Sequence, residues 1–129
     1  MTFYFDASIQ VRVARAIADF RHDVLYAGGP GAPAQPTPDV EWLAQAGASE
    51  WVVLTRDKRI RTRPGERQMF LDAGVRCFCF TQAGNATAWE MPELIVSTWE
   101  RIEGMAARPG PYICAVTRSR GVRWLAPKK

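Results

Sequence analysis

Trp51-Val52-Val53-Leu54 is an unbroken apolar run that stops at Thr55-Arg56-Asp57. Four residues are too few for a helix, and a run with no polar alternation has no solvent face. It therefore reads as a strand covered on both sides of a sheet. Thr2–Phe5 is a second such run, ending at Asp6, and Val75–Phe80 and Tyr112–Val116 are two more. Asp23–Tyr26 is a shorter candidate.

Between these runs the apolar spacing turns helical. Ser8 is placed to cap a helix whose stripe is Ile9, Val13, Ile17 and Phe20. Thr37 and Pro38 make an N-cap and first helical position for a helix with Val40, Leu43 and Ala44 facing inward and Gly47 as its stop. Pro64 to Ala73 reads as a helix burying Met69 and Phe70 and closed by Gly74. Met91 to Met105 reads as a longer one carrying Leu94, Ile95, Thr98 and Ile102 on one side. The stretch GGPGAPAQPTP can continue no regular element and reads as a surface loop, and the basic end RSRGVRWLAPKK as a tail. Strands alternating with helices predict βαβ units. The expected fold is α/β, a three-layer αβα sandwich with a mainly parallel central sheet, built as one domain over residues 1–129.

At 129 residues the chain supports one hydrophobic core and is short for two. No apolar run approaches the eighteen or so residues of a membrane span. MTFYFDASI places an acid inside its apolar stretch and has no basic leader, so no signal peptide is expected. Three cysteines, two of them in Cys77-Phe78-Cys79, do not form a disulfide framework, and a reducing compartment, the cytoplasm, follows. The formal charge of +4 is concentrated. Arg56, Lys58, Arg59, Arg61, Arg63 and Arg67 stand against only Asp57 and Glu66 in one twelve-residue window, which carries the whole excess. Such a patch suits a polyanion, although arginines in a solvated loop explain it too.

Asp6 ends the first strand and Asp57 follows the third, so both belong at the carboxyl edge of a parallel sheet, where ligands bind in such folds. Asp39 opens the helix that leads into the third strand. That helix runs antiparallel to the strand and so begins at the same edge. Carboxylates crowded together repel, and a hard divalent cation, Mg²⁺ or Mn²⁺, is the natural counter-charge. Such a cation polarises a phosphoryl oxygen and acidifies an attacking water. Plainer roles compete for each acid: a turn aspartate at position 6, a turn aspartate paired with Arg56 or Arg59 at 57, and a helix first-turn charge at 39.

Asp6-Ala7-Ser8, Thr55-Arg56-Asp57 and an aspartate eighteen residues before Asp57 resemble motifs of the PIN-like domain family. VLTRDKRI, the arginines after it and GVRCFCF are similar to the compact subgroup that includes toxins of the VapC45 type. The likeness spans roughly residues 1 to 82. It implies a metal-dependent ribonuclease, often the toxin of a toxin–antitoxin pair, with Asp6, Asp39 and Asp57 as catalytic metal ligands. Ser8 and Thr55 are implied as supporting hydroxyls. RNA as substrate, a protein antitoxin and a homodimer are the partners it implies, and no membrane. Lys58, Arg59, Arg61 and Arg63 are candidates for the RNA backbone, where affinity falls with salt. The family pattern includes one more acid before the Asp39 helix, where this chain has the Gly/Pro loop with Asp19 and Asp23 nearby. Glu41 stands two residues from Asp39 and so points elsewhere on the helix.

His22 lacks a metal-type partner, and Cys77, Cys79 and Cys114 read as buried small hydrophobes. The tryptophans are core or interface candidates, with Trp124 able to stack on a base. A non-catalytic α/β module that binds nucleic acid or protein through the basic loop is the rival reading. A receiver-like phosphotransfer domain is a third, lacking the lysine expected near a late strand end.

Overall fold

The structure, a computed structural model, describes residues 1–81 and 89–128. Its elements run β1 (Phe3–Phe5), α1 (Val11–Phe20), β2 (Val24–Tyr26), α2 (Asp39–Ala48), β3 (Val52–Thr55), α3 (Arg59–Thr62), α4 (Pro64–Asp72), β4 (Arg76–Phe80), α5 (Glu90–Ala106), β5 (Tyr112–Thr117) and β6 (Gly121–Ala126). The strands form one sheet in the order β2-β1-β3-β4-β5-β6. All neighbours pair in parallel except β5 and β6, which are antiparallel.

Side chains alternate across the sheet, and the two faces collect separate cores. Phe3, Phe5, Val52, Leu54, Phe78 and Phe80 pack with α1 and α5. Tyr4, Val53, Cys77 and Cys79 pack with α2, α3 and α4. This is the three-layer αβα arrangement expected. The full burial of β3 is why its sequence has no polar alternation.

Several local expectations are corrected. Ser8 caps no helix, because α1 begins only at Val11, and its hydroxyl is used elsewhere. Phe20, placed in the buried stripe, is 91% exposed at the last residue of α1. In α2 the inward face is Trp42, Leu43 and Ala46, while Val40 and Ala44 are exposed. Thr37 makes no cap bond to the helix. Pro38 stands at the N-cap, and the threonine hydroxyl donates to the Ala34 carbonyl. The Gly/Pro loop is anchored, with Pro33 buried and its carbonyl accepting from Gly28 N–H at 2.9 Å. The predicted tail contains β6, which pairs with β5 and reads as a tail because arginines and lysines flank it on both sides; Lys129 lies outside the described residues.

Gly74 closes α4 as expected, in the left-handed conformation (φ +79°) that glycine adopts without steric cost. Gly47 does something different. Helix α2 continues past it to Ala48, but a Cβ on Gly47 would stand 2.0 Å from the Ala73 carbonyl oxygen. Its missing side chain sets the approach of α2 to the end of α4. Gly47→Ala is expected to destabilise the protein by about 3 kcal/mol through forced separation of these elements, read by urea unfolding. An unchanged midpoint would show that the two helices have room to part.

Candidate metal centre

From β1 the chain leaves to β2 on one side, and from β3 it continues to β4 on the other. The carboxyl ends of β1 and β3 therefore flank a topological switch point, the crevice where open α/β sheets bind ligands. Asp6 and Asp57 are found there.

Asp6 directly follows β1, and its N–H still reaches Leu54 O at 3.1 Å. Its carboxylate is only 6% exposed. Oδ1 accepts from the Ser8 N–H at 3.0 Å and from the Ser8 hydroxyl. Oδ2 accepts from the Thr55 hydroxyl at 2.6 Å. The two hydroxyls lie 3.0 Å apart and accept in turn from Arg56 N–H at 2.8 Å and Asp57 N–H at 3.2 Å. Burial pushes the Asp6 carboxyl up to about 6, against the lowering hydrogen bonds of Ser8 and Thr55, and the nearby Asp57 adds to the rise. Ser8 and Thr55 thus hold the Asp6 carboxylate between them.

Asp57 sits in the turn between β3 and α3. Its Oδ1 accepts the Arg59 N–H at 2.9 Å, the pattern by which an aspartate stabilises its own turn. Burial alone raises its pKa, but Arg59 and, more weakly, Arg63 outweigh this and hold it below the usual carboxylate range. Asp39 is the first residue of α2, and its Oδ1 is fixed by the Trp42 indole N–H at 2.9 Å. A cavity of about 330 Å³ is lined by these three aspartates together with Tyr4, Ser8 and Arg59.

One acid joins Asp39 and Asp57 from outside the set read from the sequence. Among the described residues, one ligand oxygen each from Asp39, Asp57 and Glu66 lies within 4.8 Å of the others. Asp6 lines the same cavity but belongs to the hydroxyl network and not to this cluster. Glu66 comes from the first turn of α4. Helix α4 leads into the parallel strand β4, so it begins at the carboxyl edge for the reason that brings Asp39 there. Glu41 is exposed and outside the cluster.

Two polar atoms at the site have no hydrogen-bond partner among the described residues. Glu66 Oε2 is buried without a donor, and so is the hydroxyl of Tyr4, a fully buried residue on the cavity wall. Burial and the nearby Asp6 raise the Tyr4 pKa, so this hydroxyl keeps its proton. An all-oxygen anionic donor set with an unmet acceptor fits Mg²⁺ or Mn²⁺, hard cations that take carboxylates.

The basic window divides into several roles. Lys58 and Arg63 are exposed and Arg61 is half-buried. Arg67 donates to the carbonyls of Ile60 at 3.2 Å and Arg61 at 3.0 Å, closing the end of α3. Arg59 turns into the acids. Its Nε and Nη2 hold both oxygens of Asp57 at 2.8 to 3.2 Å, Nη2 lies 3.5 Å from Asp39 Oδ2, and Nη1 lies 3.8 Å from Glu66 Oε1.

A family model described as a PIN like domain matches residues 1–82. The chain belongs to the PIN-like domain family. No curated protein and no solved structure matches it. The matched part of this PIN-like chain contains every residue of the acidic centre and the first four strands, which make up the switch point. The PIN-like fold is of nuclease type, PIN domains typically use a divalent metal, and the Asp39, Asp57 and Glu66 cluster is a possible place for one. Elsewhere the free cysteines Cys77, Cys79 and Cys114 are buried, and burial raises the first two thiols, in keeping with packing roles. His22 is exposed. Trp42, Trp51 and Trp99 are core residues, whereas Trp89 is 82% exposed and Trp124 packs on Tyr112 at 5.3 Å between ring centroids. Among the described residues no helix is long and apolar enough to cross a membrane.

Proposed function

We propose that this PIN-like domain is a metal-dependent endoribonuclease, with Asp39, Asp57 and Glu66 holding Mg²⁺ or Mn²⁺ and Asp6 adding its charge from beneath. The convergence of three carboxylates from α2, the β3–α3 turn and α4 at the switch point carries the reading. When bound, the cation supplies charge against a phosphodiester and an acidified water. The protein's own part is positioning. Trp42 fixes Asp39, the turn after β3 fixes Asp57, and Ser8 with Thr55 hold Asp6 in its buried seat. Lys58 and Arg63, exposed beside the centre, are placed to meet a phosphate backbone. Tyr4 offers a protonated hydroxyl to an oxygen entering the cavity.

RNA is the proposed substrate because the residues of the centre resemble those of ribonuclease toxins. The same resemblance supports an antitoxin that covers the site and a homodimer, and the free cysteines support a reducing, cytoplasmic setting. Cleavage of single-stranded RNA in Mg²⁺ or Mn²⁺, and its loss in EDTA, is the direct test.

One observation favours the rival, a non-catalytic nucleic-acid-binding module. Arg59 already pairs with all three acids, so an ion-pair network offsets part of their repulsion without any metal. RNA that is bound but left whole with every divalent ion tested would establish that rival.

A further inference from the structure

Three carboxylates within 4.8 Å of one another constitute a repulsive cluster, and the structure shows what offsets the repulsion. Among the described residues, the Arg59 guanidinium is the one side chain that reaches all three. It forks onto Asp57 through Nε at 3.0 Å from Oδ1 and Nη2 at 2.8 Å from Oδ2, and it extends to Asp39 and Glu66 at 3.5 and 3.8 Å. A planar guanidinium suits this task because it presents its donors in a fixed fork. Its position is not enforced by burial, since the side chain is 46% exposed. It is held by the acids themselves, and Asp57 foremost raises its pKa.

We infer that Arg59 is a built-in competitor of the metal, holding the cation's place in the metal-free protein and leaving it when the ion binds. This rests on the metal-binding reading above and adds the regulation of that site. Both oxygens of Asp57 now accept from Arg59, and a cation on Asp57 needs lone pairs that these bonds occupy. Mg²⁺ and Mn²⁺ draw oxygens to about 2.1 Å, well inside the spacing a guanidinium imposes. The two occupants also carry charge of the same sign, so a guanidinium left between the acids repels the ion. Glu66 Oε2 and the Tyr4 hydroxyl, unpartnered with Arg59 in place, show that the arginine does not satisfy the whole centre. It stabilises the metal-free protein and sets the free-ion level at which the site loads. Because Arg59 is exposed at the first residue of α3, outside the sheet, its side chain can withdraw into solvent without disturbing the strands.

The test is a Mn²⁺ titration of the EDTA-stripped full chain, following free Mn²⁺ by electron paramagnetic resonance, for wild type, Arg59→Gln and Arg63→Gln. Arg63 acts on Asp57 only through space, so its variant measures the loss of a nearby positive charge without the loss of an occupant. Arg59→Gln is expected to bind Mn²⁺ about tenfold more tightly, Arg63→Gln less than about threefold, and Arg59→Lys in between because it keeps a charge without the fork. Metal-free Arg59→Gln should melt below wild type and gain more on adding Mn²⁺. Equal Mn²⁺ affinity in wild type and Arg59→Gln, or an equal gain from Arg63→Gln, overturns the competition and leaves the metal site standing. Absence of Mn²⁺ binding in all variants takes down the metal reading and the competition with it.

Discussion

Asp57→Asn is expected to lower metal-dependent RNA cleavage by about a hundredfold or more while leaving the circular dichroism spectrum unchanged. The position is the hub of the centre. Its carboxylate faces Asp39 and Glu66, and both its oxygens are the principal partners of Arg59. Asparagine keeps the shape and one acceptor oxygen, so the turn bond from Arg59 N–H survives, but the charge a divalent ion requires is gone. The same assay ranks the other acids. Glu66→Gln should lose activity on a similar scale, whereas Glu41→Gln, exposed and outside the cluster, should keep it. Full cleavage by Asp57→Asn would reject the proposed centre. An active Glu66→Gln beside an inactive Asp57→Asn would return the third ligand position to Asp6.

Asp6→Asn is expected to stabilise the metal-free protein at pH 8 by about 3 kcal/mol, a gain that builds as the pH rises from about 4 to 6 and is full above that. The folded carboxyl titrates near 6 against 3.8 for its ordinary value, so between these pH values the folded state holds a proton that the unfolded state has lost. Stability therefore falls as pH rises through that window. Above it the wild type carries the whole cost of a buried charge, at about 1.4 kcal/mol per pH unit. Asparagine does not titrate. Its amide can donate to Thr55 Oγ1, which can then donate across the 3.0 Å gap to Ser8 Oγ, and that hydroxyl can donate to the asparagine oxygen. The hydroxyl network is thereby re-routed, with only the second amide N–H gaining no partner in it. Asp57 has the opposite sign: held low, it stabilises above the ordinary carboxylate range and loses that contribution only as the pH falls below it, so it does not enter this window. Urea unfolding of both proteins in EDTA at pH 4 and pH 8 checks the prediction. Equal stability at pH 8 would mean that the Asp6 charge is solvated or compensated.

Much of this centre was legible because parallel-sheet geometry links chain order to position. A strand end, and the start of a helix that feeds the next parallel strand, both lie at the carboxyl edge. Applied to Phe5-Asp6, Leu54-Thr55-Arg56-Asp57 and Thr37-Pro38-Asp39, that rule placed three aspartates at one cavity. It applies equally to Glu66, which follows Pro64 into the helix before β4. The residue was passed over because it stood among arginines and counted only as a charge in the basic window. Ser8 was misjudged for a related reason. A serine after a strand resembles a helix cap, but here its hydroxyl turns back to Asp6 and toward Thr55.

The order of apolar runs and helical stripes determined by itself that this chain makes a mainly parallel sheet with helices on both faces, and that Asp6, Asp39 and Asp57 gather at one edge. Those are consequences of local periodicity and of how parallel strands must be joined. Tertiary structure alone decided that β6 completes the sheet, that Glu66 and not Asp6 closes the acidic cluster, and that Arg59 faces the carboxylates instead of solvent. Each of these depends on distances between residues remote in the chain or on the direction of one side chain in the combined field of several others, and no spacing along the sequence encodes either.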